Sequence, residues 1–488
     1  MPTYYLRIEA VNLDHSVYDT HDISTIRGGG FMLLDAVDQL ALPDSVKNWQ
    51  DIGSAASIGL FKFEAANDEA AEVARHKAVA TVNQRTSEFA TYVSAWERID
   101  HPENFDRSVQ RLTAKCRWQQ YQSPSLALPE MSPKAEEECF VDRVRPAVTK
   151  AFVQNQMQEV SHAVAVRRKE GIDLRNKIYA DILKTQALKV TNDLETLAAS
   201  GEAGSLDGKI AFLHIDGNRF GSIRHALCKT ETDIINFQRA IREAREGALR
   251  EILKYAQSQK SFQTSDGEIR LETLLWGGDE IEWVVPAWQA LKVLNLFFAQ
   301  TQERRFTAQS GKSVRLTNAA GVILCHHNLP ILQIRQYAEE LCRMAKSTLP
   351  KETIDLDANA NCFAFLNMVS FDQMTRHVGD FLEKYHKPAQ AHDFVINAAE
   401  LTELKPHLQK LKRLLAKNKL HEIIETMQSG TSEEQKAKIQ DIVDRAQKLL
   451  NREQKTQLAN TIEQVLKDKP HRWYWVSDLW DYVVEEKQ

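Results

Sequence analysis

The feature that most constrains the fold is an order of strand and helix patterns that occurs twice. Residues 4–12 read as a strand, followed by a glycine turn and helix in "IRGGGFMLLDA", a hairpin in "SAASIGLFKFEA", a second helix and a last strand in "EFATYVSAWERI". From residue 206 the same order returns, with "KIAFLHID" as the first strand and "LLWGGDEIEW" as the hairpin. Strand, helix, hairpin, helix, strand is the ferredoxin-like arrangement. We therefore predict an α+β fold with two ferredoxin-like units, at 1–105 and 206–385.

The segments outside these units have a different composition. Residues 100–145 are rich in Pro, Ser and Gln and predict a loop or small irregular insert. Residues 146–200 read as helical, with "VRRKEG" as a basic break, so 106–205 forms an insert and linker. Residues 386–488 predict a C-terminal helical bundle, onto which the aromatic tail "HRWYWVSDLWDYVVEE" docks as a core helix.

Composition limits the class of protein. The chain has 488 residues, a net charge of −5 and 43% hydrophobic residues, so no global positive field attracts it to nucleic acid or membrane. No apolar run approaches the roughly 18 residues of a membrane span, and "MPTYYLRIEA" lacks the pattern of a signal peptide. The six cysteines are scattered without a CxxC pair. We expect a cytoplasmic protein without a membrane partner.

Three acidic residues are predicted to meet at one sheet edge. Asp216 ends the first strand of the second unit, and Asp279 and Glu280 lie at the hairpin before its third strand. The first and third strands of a ferredoxin-like sheet are antiparallel neighbours, so these carboxylates converge. Packed carboxylates repel unless a cation joins them, and Mg²⁺ or Mn²⁺ prefers oxygen ligands. We predict a metal site, with room for two ions that activate a hydroxyl and stabilise a leaving pyrophosphate.

The glycines around these acids predict a phosphate site. Gly277 and Gly278 allow the backbone to approach a phosphate, and Gly217 with the backbone of Arg219 and Phe220 offers a second cradle. The alternative is an ordinary Gly-Gly hairpin turn with exposed acids.

The same residues carry a resemblance to a known family. "GGDE" on a hairpin, preceded by a strand and Asp-Gly-x-x-x-Gly, resembles the palm domain of GGDEF nucleotide cyclases. It resembles more closely the large polymerase/cyclase subunit of type III CRISPR effector complexes. "LTNAAGVILCHHNLPI", "AEELCRMAKS", "IRGGGFMLLDA" and "CFVDRVRPA" are similar to further parts of that subunit. The resemblance makes Lys346 the lysine that reaches the triphosphate.

The resemblance implies the following roles. Catalysis and metal binding fall to Asp216, Asp279 and Glu280. Nucleotide binding falls to Gly217, Asn218, Phe220, Gly277, Gly278 and Lys346. The implied function is a metal-dependent nucleotidyltransferase that joins ATP-like triphosphates into cyclic oligonucleotides for antiviral defence. The implied partners are crRNA, target RNA and other effector subunits. The alternatives are an RNA-binding scaffold with an inactive palm, or a stand-alone palm polymerase.

Several positions depart from the family pattern. Glu280 replaces a usual Asp, and Asn218 stands where a second Asp is common, which weakens the second metal site. The insert keeps Cys116 and Cys139 without partner cysteines, so we expect no zinc there. The chain starts at the palm strand, so the resemblance does not include an HD nuclease domain. The first unit has no acids at its hairpin and is expected to be non-catalytic.

Two clusters of basic residues leave an RNA contact open. Either cluster could follow an RNA backbone or form a solvated face. The clusters are Arg167, Arg168 and Lys169, and Lys405, Lys410, Lys412, Arg413, Lys417 and Lys419.

Overall fold

The computed structural model describes residues 1–38, 40, 46–55, 57–87, 89–101, 104–122, 137–185, 188–386, 390–429 and 432–483. Its strands are β1 (Thr3–Val11), β2 (Lys47–Ala55), β3 (Ile58–Glu64), β4 (Thr91–Arg98), β5 (Thr149–Val153), β6 (Gln156–Val160), β7 (Lys209–Gly217), β8 (Glu272–Gly277), β9 (Glu280–Pro286), β10 (Arg305–Thr307), β11 (Ser313–Arg315), β12 (Asn318–His326), β13 (Cys362–Asn367) and β14 (Val395–Asn397).

Its α-helices are α1 (Ile23–Asp38), α2 (Asp68–Arg85), α3 (Phe105–Gln122), α4 (His162–Leu183), α5 (Leu194–Ala198), α6 (Phe220–Leu227), α7 (Glu231–Ser258), α8 (Ala290–Thr301), α9 (Ile331–Ser347), α10 (Val378–Tyr385), α11 (Ala398–Leu414), α12 (Lys417–Met427), α13 (Ser432–Gln447), α14 (Arg452–Leu466) and α15 (Arg472–Leu479). Among the described residues, no helix has the length and apolarity needed to cross a membrane.

The first sheet has the predicted ferredoxin-like order. Its four strands run β2-β3-β1-β4, and β1 pairs antiparallel with both β3 and β4. Side chains alternate across β1, so Tyr4, Leu6 and Ile8 pack with residues of α1 and α2. Tyr5, on the opposite face, joins a core that includes Phe220 of α6. The two predicted units therefore share a hydrophobic core, and the predicted domain boundaries remain a proposal.

The second sheet extends the same plan. Its order is β14-β13-β12-β7-β9-β8, with β7 between β12 and β9. The four neighbouring strands β12-β7-β9-β8 confirm the ferredoxin-like order of the second predicted unit. Beyond this unit, the segment "CFAFLNMVS" contains β13, which pairs with β12 on one side and with the short β14 on the other.

The glycine turn predicted at "IRGGG" is wrong, because all three glycines lie inside α1. Their role is close packing. A Cβ at Gly28 would lie 1.8 Å from the backbone oxygen of Arg167 in α4, and a Cβ at Gly30 would lie 2.9 Å from the backbone oxygen of Leu274. A helix accepts glycine at a cost of about 1 kcal/mol each, which this contact offsets.

The insert and linker also differ from the prediction. The segment predicted as a loop contains α3, and the 146–200 segment opens with the β5–β6 hairpin. The basic break predicted at "VRRKEG" does not exist, because α4 continues through it. Arg167 is fully buried, and its Nη1 lies 2.9 Å from Asp19 Oδ1, so an internal ion pair holds this residue.

A buried ion triad connects three elements behind the second sheet. Arg27 Nη1 in α1 lies 2.5 Å from Glu272 Oε2 in β8, and Arg175 Nη1 in α4 lies 3.0 Å from the same oxygen. All three side chains are almost fully buried. Buried charges are tolerated only when paired, so the triad fixes α1 and α4 against the hairpin strand.

The C-terminal segment is helical, as predicted. It contains α11 and α12, followed by α13 and α14. The tail forms α15, where Trp473, Tyr474 and Trp475 are buried. The predicted docking of an aromatic helix is confirmed.

Candidate active site

The three predicted acids lie at one edge of the second sheet. Ile215 pairs with Ile281 across β7 and β9, and Asp216 follows at the end of β7. Gly277 pairs with Glu280, so Gly278 and Asp279 form the two-residue turn between β8 and β9. The convergence predicted from topology is therefore present, because antiparallel register places the end of β7 beside the start of β9.

Gly278 is the position in the turn where glycine is required. Its φ is +54°, in the left-handed region that favours glycine, and an added Cβ would lie 3.7 Å from Ala55 of the first sheet. Arg245 of α7 donates a hydrogen bond of 3.3 Å to the Gly278 carbonyl, and its guanidinium lies 4.5 Å from the Trp276 ring centre. Burial lowers the pKa of Arg245 to about 10. The Arg245 guanidinium thus holds the turn, and the sequence analysis did not predict this contact.

Lys346 reaches the acidic edge from the last turn of α9. Its ammonium donates to the Asp216 carboxylate and, over 2.8 Å, to the backbone oxygen of Gly217. The side chains of Lys346 and Asp216 are 25% and 28% exposed, so a ligand can reach both. The structure brings together Lys346, which the resemblance assigns to the triphosphate, and Asp216, which it assigns to metal binding.

The surroundings of the two hairpin acids disfavour their ionised forms. Burial, followed by the charge of Asp216, raises the pKa of Asp279 to about 7. Burial also raises the pKa of Glu280, whose side chain is 49% exposed. A bound cation would relieve both effects, since it favours the ionised form of neighbouring carboxylates.

The side chains of Asn218 and Phe220 turn inward. The amide nitrogen of Asn218 donates to Thr317 Oγ1 at 3.1 Å and to the Ala360 oxygen at 2.8 Å. The Phe220 ring packs against Phe237 at 5.7 Å. A Cβ on Gly217 would meet that ring at 2.6 Å. Only the backbone of these residues remains for phosphate contact, and that contact stays a prediction.

The donor chemistry of the site fits a hard cation, although no closed ligand cage exists. Across the described ranges, no group of three or more His, Cys, Asp or Glu has metal-holding geometry. The carboxylates of Asp216 and Asp279 are oxygen donors whose mutual repulsion contributes to the raised pKa of Asp279. These two residues, with Glu280 beside them, would hold Mg²⁺ or Mn²⁺.

A buried polar group behind the acids was not predicted as part of the site. Glu282, two residues past Glu280, is fully buried and contacts His214, Arg335 and Tyr18. The alternation in "EIEWVVP" contained a signal, because an acid two positions on lies on the same face of the strand as Glu280.

The other sequence candidates have structural environments of their own. Cys116 lies in the core shared by the two sheets, and Cys139 lies in a separate small core beside the β5–β6 hairpin. In the basic C-terminal segment, Lys417 pairs with Asp481 at 2.7 Å. That cluster is therefore not a uniformly free cationic face.

Comparisons with known proteins agree with this geometry. Residues 209–355 match the family model described as Cas10/Cmr2, second palm domain. No curated protein matches the chain. Csm1 of T. onnurineus has 12% identity and a TM-score of 0.54, and the match covers 99% of this chain and 69% of that one.

Two structures of a Csm1-Csm4 cassette match with the same coverage. The complex with pppApA has 12% identity and a TM-score of 0.53, and the complex with cA4 has 13% identity and a TM-score of 0.52. At such identity the likeness establishes the fold. The chain resembles the large subunit, Csm1 or Cmr2, of type III CRISPR effector complexes. The resemblance lies in the sequence of residues 209–355 and in the fold of nearly the whole chain.

Proposed function

We propose that the second sheet forms a metal-dependent nucleotidyltransferase that joins ATP-like triphosphates, with cyclic oligonucleotides as the products. The observation that carries this proposal is the meeting of Asp216, Asp279 and Glu280 at one sheet edge, with Lys346 in contact with Asp216. Anionic metal ligands beside a partly exposed lysine suit a substrate that brings its own phosphates and divalent cation.

The ligands in related structures support the substrate class. The Csm1-Csm4 cassette has been solved with AMPPNP, with pppApA and with cA4. We propose the same class of ligand for this chain, and a role beside other effector subunits and crRNA in CRISPR-type antiviral defence.

The chain's own groups divide the work in this proposal. Lys346 exchanges its contact with Asp216 for the triphosphate, so that Asp216 becomes free to bind a cation. Mg²⁺ or Mn²⁺ would lower the pKa of an attacking 3′-hydroxyl and neutralise the leaving pyrophosphate. The partly exposed Glu280 accepts the hydroxyl proton. The backbone at Gly277 and Gly278 leaves space for phosphate beside the turn.

The test is turnover by the purified protein. Each labelled nucleoside triphosphate is incubated with Mg²⁺ or Mn²⁺, with and without RNA, and pyrophosphate release is measured together with the nucleotide products. Asp279→Ala should abolish release while the circular dichroism spectrum stays unchanged. Full turnover by this variant would remove the proposal.

A second candidate is an RNA-binding scaffold with a silent palm. Two observations favour it: Lys346 already pairs with Asp216, and the described part of the chain holds no three-ligand metal cluster. Co-purification of crRNA and companion subunits, together with no turnover of any triphosphate, would select this function over the first.

A further inference from the structure

The strand that carries Glu280 contains a second, fully buried acid. Glu282 is 0% exposed and lies between the apolar residues Ile281 and Trp283 of β9. Removing a carboxylate from water is costly unless ionic and hydrogen-bonding partners replace the water. The partners of Glu282 must therefore replace the water that its carboxylate has lost.

Three elements supply the partners of Glu282. Oε1 receives Arg335 Nε of α9 at 2.8 Å and lies 3.2 Å from His214 Nδ1 of β7. Oε2 accepts the Tyr18 hydroxyl at 3.3 Å, from the segment that follows β1 of the first sheet. The Arg335 guanidinium also lies 3.6 Å from the centre of the Tyr18 ring.

The contacts hold the Glu282 carboxylate in one position. Both carboxylate oxygens are engaged, and their partners lie on three different elements. A shift of any one element therefore breaks a charge-assisted hydrogen bond inside the protein.

His214 connects this network to the candidate active site. Its Nδ1 faces Glu282, and its Nε2 lies 4.0 Å from Glu280 Oε1. The ring is 2% exposed and pairs across the sheet with Glu282. One imidazole thus lies between two acids on the same face of β9, and the bond at Nδ1 sets the direction of Nε2.

We propose that Glu282 is a positioning residue, fixed by Arg335 and by Tyr18 of the first sheet region, which holds His214 against Glu280 and so sets the acidic edge for its cation. This inference rests on the proposed function, because it assigns Glu280 to the site. Through Tyr18, the first ferredoxin-like unit, which is expected to be non-catalytic, helps to position the acids of the second unit.

Two variants test the role. Tyr18→Phe keeps the ring beneath Arg335 and removes one hydrogen bond to Glu282, so turnover should fall about fivefold with little change in KM for ATP. Glu282→Gln removes the charge, so turnover should fall roughly thirtyfold. Mn²⁺ affinity, measured without nucleotide from the EPR signal of free Mn²⁺, should weaken about tenfold in Glu282→Gln.

The matched control is Glu339→Gln. Glu339 also faces Arg335, at 3.8 Å, but it is 36% exposed and lies outside the Glu282 network. It should leave turnover and Mn²⁺ affinity unchanged. If Glu282→Gln lowers only the melting temperature, with turnover and Mn²⁺ affinity as in the wild type, the positioning role is wrong.

The remaining outcomes also decide between the positioning role of Glu282 and its absence. If Glu282→Gln does not fold, Tyr18→Phe decides by the same two measurements. Wild-type protein that binds Mn²⁺ but turns over no triphosphate removes the proposed function, and the Mn²⁺ comparison then decides the positioning role. Wild-type protein that neither binds Mn²⁺ nor turns over a triphosphate overturns both the proposed function and the positioning role.

Discussion

The charge on Asp279 should make the protein less stable in the absence of a cation. Burial and the Asp216 carboxylate raise the pKa of Asp279 from its ordinary value of 3.8 to about 7. The folded state therefore holds this proton more tightly than the unfolded state does. Stability is lost as pH rises from about 4 towards 7, and the full penalty applies above pH 7. Asp279→Asn removes the titration and should stabilise the metal-free protein.

The size of this stability penalty follows from the shift in the pKa of Asp279. About three pH units at 1.36 kcal/mol each give an upper limit of roughly 4 kcal/mol. Asp279 is only half-buried, and solvent screening reduces the figure, so we expect about 2 kcal/mol at pH 8. Most of the added stability of Asp279→Asn should develop between pH 5 and pH 7. In this range the Asp279 carboxyl of the wild type is ionised in the unfolded state and is losing its proton in the folded state.

The assay is denaturant unfolding of both proteins in EDTA at pH 5 and at pH 8. The exposed turn residue Asp266 gives a control variant, Asp266→Asn, whose stability relative to the wild type should not depend on pH in this way. Mn²⁺ should stabilise the wild type more than Asp279→Asn. An Asp279→Asn protein that is no more stable than the wild type at pH 8 would refute the reasoning.

Three further predictions concern packing and charge. Gly28→Ala should destabilise the fold by about 3 kcal/mol or more, because the new Cβ meets the Arg167 backbone at 1.8 Å, and the midpoint of thermal unfolding measures it. Glu272→Ala should cost about 3–5 kcal/mol in denaturant unfolding, since it leaves Arg27 and Arg175 buried without their anion. Lys346→Met should raise KM for ATP about tenfold or more, because it removes the ammonium beside Asp216, and steady-state pyrophosphate release measures it.

Each of these three predictions has a matched control variant. Gly201→Ala adds a Cβ with no atom within 4 Å, so it should be neutral, and equal melting of the two glycine variants would contradict the packing argument. Glu251→Ala removes an exposed ion pair and should cost less than about 1 kcal/mol. Lys351→Met changes an exposed lysine, and an identical KM in both lysine variants would exclude Lys346 from the triphosphate site.

The sequence predicted the strand order and the meeting of Asp216 with the hairpin acids because both follow from local periodicity and sheet topology. It could not predict that Gly28 packs inside a helix, because glycine has the same local preferences whether it makes a turn or a close contact. "VRRKEG" was predicted as a basic break, yet α4 continues through it and Asp19, far away in sequence, pairs with Arg167. The role of Glu282 depends on partners from three elements, and a periodic pattern contains no information about them.

The backbone contact at Gly28 limits how the molecule can move. A Cβ on Gly171 would lie 2.5 Å from the Gly28 Cα, so α1 and α4 touch without side chains between them. Sliding of one helix past the other would need their backbones to separate, and the Arg27–Glu272–Arg175 triad resists that separation. The two helices and β8 therefore behave as one rigid body.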